Sequence, residues 1–240
     1  MITVEKHIAV LNDGFTTNTY IVTDVESGET AVIDPSLPEP ELVEKLKGKN
    51  VKYMLITHGH SDHTCGAKIV KENIGGTIVI HKEDNMLLHD VIKNEFANSS
   101  ADFVFPEIDA DLFTEDGDEF MIGNTKITVM HTPGHTRGGV CYIFKEDRVM
   151  FTGDTLFRLT AGRADFYGGD AREELRSLAK IGELEGDYKV YPGHNEETTL
   201  DFERANNRYM RTRFRKNDKI TCNKSQIPLR NGKARANFYA

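Results

Sequence analysis

The 240-residue chain reads as an α/β protein with mixed β-sheets whose outer faces are covered by helices. Three observations predict this. Short apolar or alternating runs recur between Gly, Pro, Asn and Asp; several are spaced as hairpins; and helical patterns fall between others. The strand runs are NTYIVTD at 18–24, ETAVID at 29–34, VKYMLIT at 51–57, TIVIH at 77–81, EFMIG at 119–123, KITVM at 126–130, VCYIF at 140–144, RVMFTG at 148–153 and DYKVYPG at 187–193. Helices are expected at 39–47 after two prolines, at 64–73, in a short piece at 82–90, and at 170–181 with Asp170 as N-cap. A last helix is expected from about 198 to about 210.

Composition sets the class. Apolar residues make up 38% of the chain and charged residues 28%, and the strand runs exclude wholesale disorder. No apolar run approaches the roughly 18 to 20 residues of a membrane span, and the start, MITVEKHIAV, lacks the layout of a signal peptide. Cys65, Cys141 and Cys222 form no CxxC pair, which fits reduced thiols. A soluble cytoplasmic protein is therefore expected.

The net charge of −8 is unevenly spread. Residues 204–240 hold eleven Lys or Arg and one Asp, a balance of +10, which leaves −18 for residues 1–203. An acidic body argues against nucleic acid as the main partner. Strong periodicity fades after about residue 210, so one domain is expected over 1–210 and a basic C-terminal tail over 211–240.

The chemistry is concentrated in THGHSDH at 57–63, directly after an expected strand. An HxHxDH pattern places three imidazoles and a carboxylate, ligands suited to divalent ions, within six residues. His58 and His60 can serve one metal while Asp62 and His63 face another; alternatively the four close a single structural zinc. Further candidates stand in Gly-containing turns at the ends of later strands: His135 in TPGHT, Asp154 in TGDTLF and His194 in YPGHN. Seven ligands exceed what one tetrahedral ion uses. With Asp154 as a bridge, His58, His60 and His135 could hold one ion and Asp62, His63 and His194 a second, sharing a water. A role for Asp154 in orienting a His from outside remains the alternative.

These motifs, with GRADFYGGD at 162–170 and the amino-terminal NTYIV and AVIDP runs, resemble the metallo-β-lactamase-fold hydrolases. Within them the chain is similar to the short glyoxalase II-like branch, the hydroxyacylglutathione hydrolases, over roughly residues 1–205. The resemblance implies an αββα sandwich with a binuclear site at one edge of the two sheets, and the ligand roles above at matching positions. Cys65, where a Gly is common, and Asn195, after the last ligand, depart from the pattern without removing a ligand.

Two divalent ions, with zinc expected and iron or manganese also suited, lower the pKa of a shared water and polarise a carbonyl. The expected reaction is attack of metal-bound hydroxide on a thioester, with Asp62 and Asp154 as the carboxylates of the reacting centre. A thiolate leaves with little need of a general acid, and the resemblance points to an S-(2-hydroxyacyl)glutathione such as S-lactoylglutathione. Arg163 could bind a substrate carboxylate through its planar fork or pair with Asp165 or Asp170; Tyr167 is a second candidate substrate contact. His7, His81 and His89 read as ordinary; His131 reads as a packing residue or a support behind the ligands rather than a ligand, and Cys65 as a small packing residue rather than a ligand. The tail could meet an anionic substrate or pack across a partner in a homodimer. Competing readings are a mononuclear iron persulfide dioxygenase of the same fold, a lactonase or β-lactamase, and a nucleic-acid enzyme, for whose inserted domains the chain lacks room.

Overall fold

The computed structural model describes residues 1–210; the expected basic tail, residues 211–240, lies outside the described residues. In chain order the elements are β1 (Ile2–Val10), β2 (Thr16–Asp24), β3 (Glu29–Ile33), α1 (Pro40–Leu46), β4 (Asn50–Leu55), α2 (Ser61–Thr64), α3 (Ala67–Asn73) and β5 (Thr77–His81). A 3₁₀ stretch at Lys82–Leu88 follows, then β6 (Leu112–Thr114), β7 (Glu119–Ile122), β8 (Thr125–His131), β9 (Val140–Phe144), β10 (Val149–Gly153), β11 (Leu156–Phe157) and β12 (Thr160–Ala161). The described part ends with α4 (Ala171–Gly182), β13 (Lys189–Pro192), β14 (Thr198–Thr199) and α5 (Leu200–Asn206).

Two six-stranded mixed sheets face each other. The first has the order β1-β2-β3-β4-β5-β6 and the second β14-β13-β10-β9-β8-β7. In the first sheet, β1 to β3 pair antiparallel and β3 to β6 parallel. In the second, β7 to β10 form an antiparallel set and β13 joins β10 in parallel. Apolar side chains sort into three layers. Tyr20, Ile33, Leu55, Ile127, Tyr142 and Phe151 are among those that fill the space between the sheets. Leu42, Leu46, Ile56 and Val70 lie under α1 and α3 on the outside of the first sheet, and Leu156, Leu178, Ile181 and Leu200 under α4 and α5 on the outside of the second. This is the αββα sandwich that the resemblance implies, and burial on both faces explains why β9 and β10 read as continuous apolar runs.

Local differences from the sequence reading have local causes. The helix expected at 64–73 starts only at Ala67, as α3, and a separate single turn, α2, precedes it. Between them the Gly66 amide bonds to the carbonyls of Pro35 and Ser36, and a Cβ there would collide with the carbonyls of Pro35 and Leu37. The last helix stops at Asn206, because Asn207 turns extended and its buried side chain donates to the carbonyl of Thr160 and to Glu203. The piece at 82–90 is 3₁₀ rather than α, started by the His81 ring accepting from the Glu83 amide. Strand β1 lies outside the runs that periodicity picks out, since Glu5 and Lys6 interrupt its alternation; it is nonetheless paired with β2 along its whole length. Asp170 caps α4 as expected, accepting from the amides of Arg172 and Glu173 at 2.8 and 3.2 Å.

Candidate metal centre

The seven candidate ligands arrive from both sheets. His58 and His60 stand in the extended segment after β4, and Asp62 and His63 on the single turn of α2. His135, Asp154 and His194 follow β8, β10 and β13 of the opposite sheet. The last turn is tied across the sandwich: Asn18 Nδ2 and the Tyr20 hydroxyl both donate to the Pro192 carbonyl, at 3.0 and 2.7 Å. Asn195 adopts φ +62, a conformation that Asn tolerates, and its carbonyl accepts from Lys6 Nζ and Asn18 Nδ2. This accounts locally for an Asn after the last ligand.

Three groupings bring ligand atoms within 4.8 Å of one another: His58, His60 and His135; His58, His63 and Asp154; and Asp62, His63 and His194. His60 Nδ1 lies 3.1 Å from His58 Nε2 and 2.9 Å from His135 Nε2. On the other side His63 Nε2 is 3.3 Å from His194 Nε2, and Asp62 Oδ2 is 3.4 Å from both nitrogens. Asp154 stands between the sets. Its Oδ2 is 3.2 Å from His194 Nε2 and 3.5 Å from His135 Nε2, and its Oδ1 is 3.4 Å from His63 Nε2. Asp154 therefore faces inward nitrogens, whereas a carboxylate that merely orients a ring would face an outer one.

The outer nitrogens of four rings have other partners. His63 Nδ1 donates to Asp34 Oδ2 at 2.9 Å, His135 Nδ1 to the Arg163 carbonyl at 2.7 Å, and His194 Nδ1 to the Thr16 carbonyl at 2.6 Å. The Thr57 hydroxyl donates to Asp34 and accepts from His58 Nδ1 at 3.2 Å. Each ring thus turns its other nitrogen inward. Asp62 is held by the Thr17 hydroxyl at 2.9 Å. Asp84, buried, accepts from the Gly59 and Gly138 amides and from the Thr136 hydroxyl, joining the loops that carry His60 and His135. Sequence reasoning missed Asp34, Thr17 and Asp84 as supports. Asp34 had a signal, because it too is a polar residue at a strand end.

Electrostatics divide the two sets. Burial and the neighbouring rings push His58 and His60 well below the usual imidazole range, and burial lowers His135. Burial opposes charge on His63 as well, but Asp62, Asp154 and Asp34 outweigh it and raise that ring to about 10. His194 is raised by Asp154 and Asp62 against its burial. Asp154, although buried, is pulled well below the ordinary carboxylate range by His194 and His63.

The residues fit divalent ions. Asp154 Oδ1 is buried without a hydrogen-bond partner, and such an oxygen is costly unless a cation meets it. A Cβ at residue 193 would overlap both that oxygen and the His63 ring, so only Gly permits the approach. Five imidazoles and two carboxylates are donors suited to zinc or iron.

The side chains of the remaining candidates have other partners. Arg163 Nε and its second guanidinium nitrogen grip both oxygens of Asp165, at 2.7 and 2.8 Å. The Tyr167 hydroxyl is 3.8 Å from Met86 Sδ, and Lys93 Nζ lies 5.0 Å over its ring. Cys65 is buried in packing and belongs to none of the three groupings, and its thiol is pushed up by burial. His7 meets Glu39, and His81 stacks on His131 at 4.1 Å.

The metallo-beta-lactamase superfamily model matches residues 12–194. The chain belongs to that superfamily. Among known proteins it is similar to the hydroxyacylglutathione hydrolase GloC of Haemophilus influenzae, 31% identical over 206 residues, which is 83% of this chain and 95% of that one. The crystal structure of the B3 metallo-beta-lactamase BLEG-1 superposes with a TM-score of 0.79 at 27% identity, over 88% of this chain and all of that one. The structure of TTHA1623 in a di-iron-bound form does so with 0.71 at 28% identity, over 85% and 99%. No helix among the described residues is long and apolar enough to cross a membrane.

Proposed function

We propose that this protein is a binuclear metal-dependent hydrolase of thioesters, acting on an S-(2-hydroxyacyl)glutathione such as S-lactoylglutathione or on a related thiol ester. The observation that carries the reading is Asp154, whose two oxygens face the inward nitrogens of both ligand sets. His58, His60 and His135 would hold one ion and Asp62, His63 and His194 the other, with Asp154 shared. When bound, two such ions acidify water and polarise a carbonyl.

The chain's own groups supply the rest. Outer hydrogen bonds to Asp34, Thr16, Thr57 and the Arg163 carbonyl fix the orientation of four imidazoles, so that one nitrogen of each is aimed at the centre before any ion arrives. The rings of Phe15 and Phe157 flank His194 at 4.7 and 6.0 Å, and Phe166 stands by His60 at 5.3 Å. These apolar walls limit water at the centre and suit an apolar acyl or thioester portion. A departing thiolate needs no proton, which agrees with a centre whose protonatable groups face inward toward one another. Zinc is the proposed metal, and the di-iron relative makes iron the competing one.

The test is to count ions per purified chain and assay S-lactoylglutathione, lactones, a β-lactam and, with oxygen uptake, glutathione persulfide. Two ions per chain with thioester turnover are expected; one iron per chain with oxygen uptake would overturn the reading. The basic residues 211–240 are proposed to favour an anionic substrate. A chain ending at residue 210 should then show a raised KM, and an unchanged KM counts against that role.

A further inference from the structure

His60 differs from the other four imidazoles of the centre. Its Nδ1 faces His58 and His135, so its outer nitrogen is Nε2, and that atom is buried without a hydrogen-bond partner. A ligating imidazole ordinarily has its plane fixed by an outer hydrogen bond to a carboxylate, carbonyl or water. No described residue supplies one to His60, whose plane is set by the side chains packed around it.

Three rings stand against it. His58 lies at 4.8 Å and His135 at 4.6 Å, both nearly perpendicular, and both belong to the same ligand set. The third is Phe166, at 5.3 Å and 81°. Phe166 also meets His135, at 6.1 Å and 83°. Its own position is fixed from the other side: the Arg163 guanidinium lies 4.1 Å from the ring centroid, within the range of a cation–π contact. Asp165 holds that guanidinium by both oxygens, and the Arg163 carbonyl accepts from His135 Nδ1. One short loop, residues 163–166, thus touches two of the three rings of the first set, His135 by its backbone and His60 by an aromatic side chain.

We infer that Phe166, backed by Arg163 and Asp165, is the positioning residue for His60, in place of the hydrogen bond that the other rings have. The inference rests on the proposed metal centre. It assigns the Arg163 side chain to the loop, as a strut, and not to a substrate carboxylate. A perpendicular ring contact constrains tilt by shape and quadrupole, and an apolar neighbour admits no competing acceptor that could pull the imidazole out of line.

The test reads metal affinity directly. Metal-free protein is titrated with zinc against a chromophoric chelator, and the titration is repeated in a His194→Ala chain, where only the first set keeps all its ligands. Phe166→Ala should weaken zinc at the first set by roughly ten- to a hundredfold and leave the second set unchanged, while Phe166→Tyr, which keeps the ring, should bind as the unaltered chain does. Arg163→Ala should weaken the first set by less and leave KM unchanged once the protein is loaded. Unchanged zinc affinity in Phe166→Ala, or an equal loss at both sets with a lowered Tm, would overturn the inference. A raised KM in Arg163→Ala with unchanged metal affinity would also overturn it, by returning Arg163 to the substrate. A chain that holds zinc in this pattern but turns over no thioester would refute the proposed function and leave the positioning of His60 standing.

Discussion

The two candidate ligand sets both rely on imidazoles and behave differently. His58, His60 and His135 are three imidazoles with no carboxylate of their own, pressed together, and held neutral by burial. His63 and His194 stand beside Asp62, with Asp34 behind His63 and Asp154 within reach of both, and their imidazoles are drawn towards the charged form. The first set is a neutral cup whose lone pairs are available at neutral pH. The second is an anionic cup in which an ion must displace protons. A histidine cluster is thus poised for metal in two ways, by removing water or by adding negative charge, and this centre uses one on each side of Asp154.

That contrast can be broken most severely at the shared residue. Asp154→Ala should lower turnover of whichever substrate the panel identifies by about a thousandfold or more, and should uncouple the ions, so that zinc titration no longer shows two tight sites; retained activity would refute the bridge. Next in size, His135→Ala and His194→Ala should each lower the ion count from two per chain to one, by loss of the first and the second set respectively. Loss of both ions from either variant would show that the sets are one cooperative unit.

A smaller effect is expected at Asp34, which holds His63 from behind at the end of β3 with φ +48. Asp34→Asn keeps a residue that tolerates this conformation, and should weaken the second ion about ten- to a hundredfold without moving the first. The smallest effect is spectroscopic. In metal-free protein at pH 8, imidazole NMR should find His63 still protonated and His58 and His60 neutral. By linkage, the raised pKa of His63 stabilises the metal-free fold fully below the unfolded value of about 6.5, and that contribution fades as pH rises through about 10. The lowered values of His58 and His60 act oppositely, with stability falling as pH drops below about 6.5. A common titration of all three rings near 6.5 would erase the distinction between the cups.

Much of the centre was legible because its signals are local. HxHxDH packs four ligands into six residues, and His135, Asp154 and His194 each follow a β-run through a Gly-containing turn. Of the supports only Asp34, a polar residue at a strand end, left a signal. Thr16, Thr17 and Asp84 are single, ordinary residues whose partners lie far along the chain, at positions set by strand register and loop packing. Arg163 shows the limit most clearly: its two readings, substrate fork or loop salt bridge, cannot be separated by spacing, and Phe166, although inside GRADFYGGD, is an apolar residue that residue type alone does not connect to a ligand.

The chain by itself determined an α/β protein of mixed sheets with helices on their outer faces, and the identity of the donor atoms, because residue type and period are written in the letters; the αββα layering came with the family resemblance. Tertiary structure alone decided that those donors converge to within 4.8 Å, that the Asp154 oxygens face nitrogens of both sets, and that His60 lies against an aromatic ring where its neighbours have hydrogen bonds. The physical reason is distance: ligand fields and hydrogen bonds act over a few ångströms, and only the packing of one sheet against the other brings residues more than a hundred positions apart within that range.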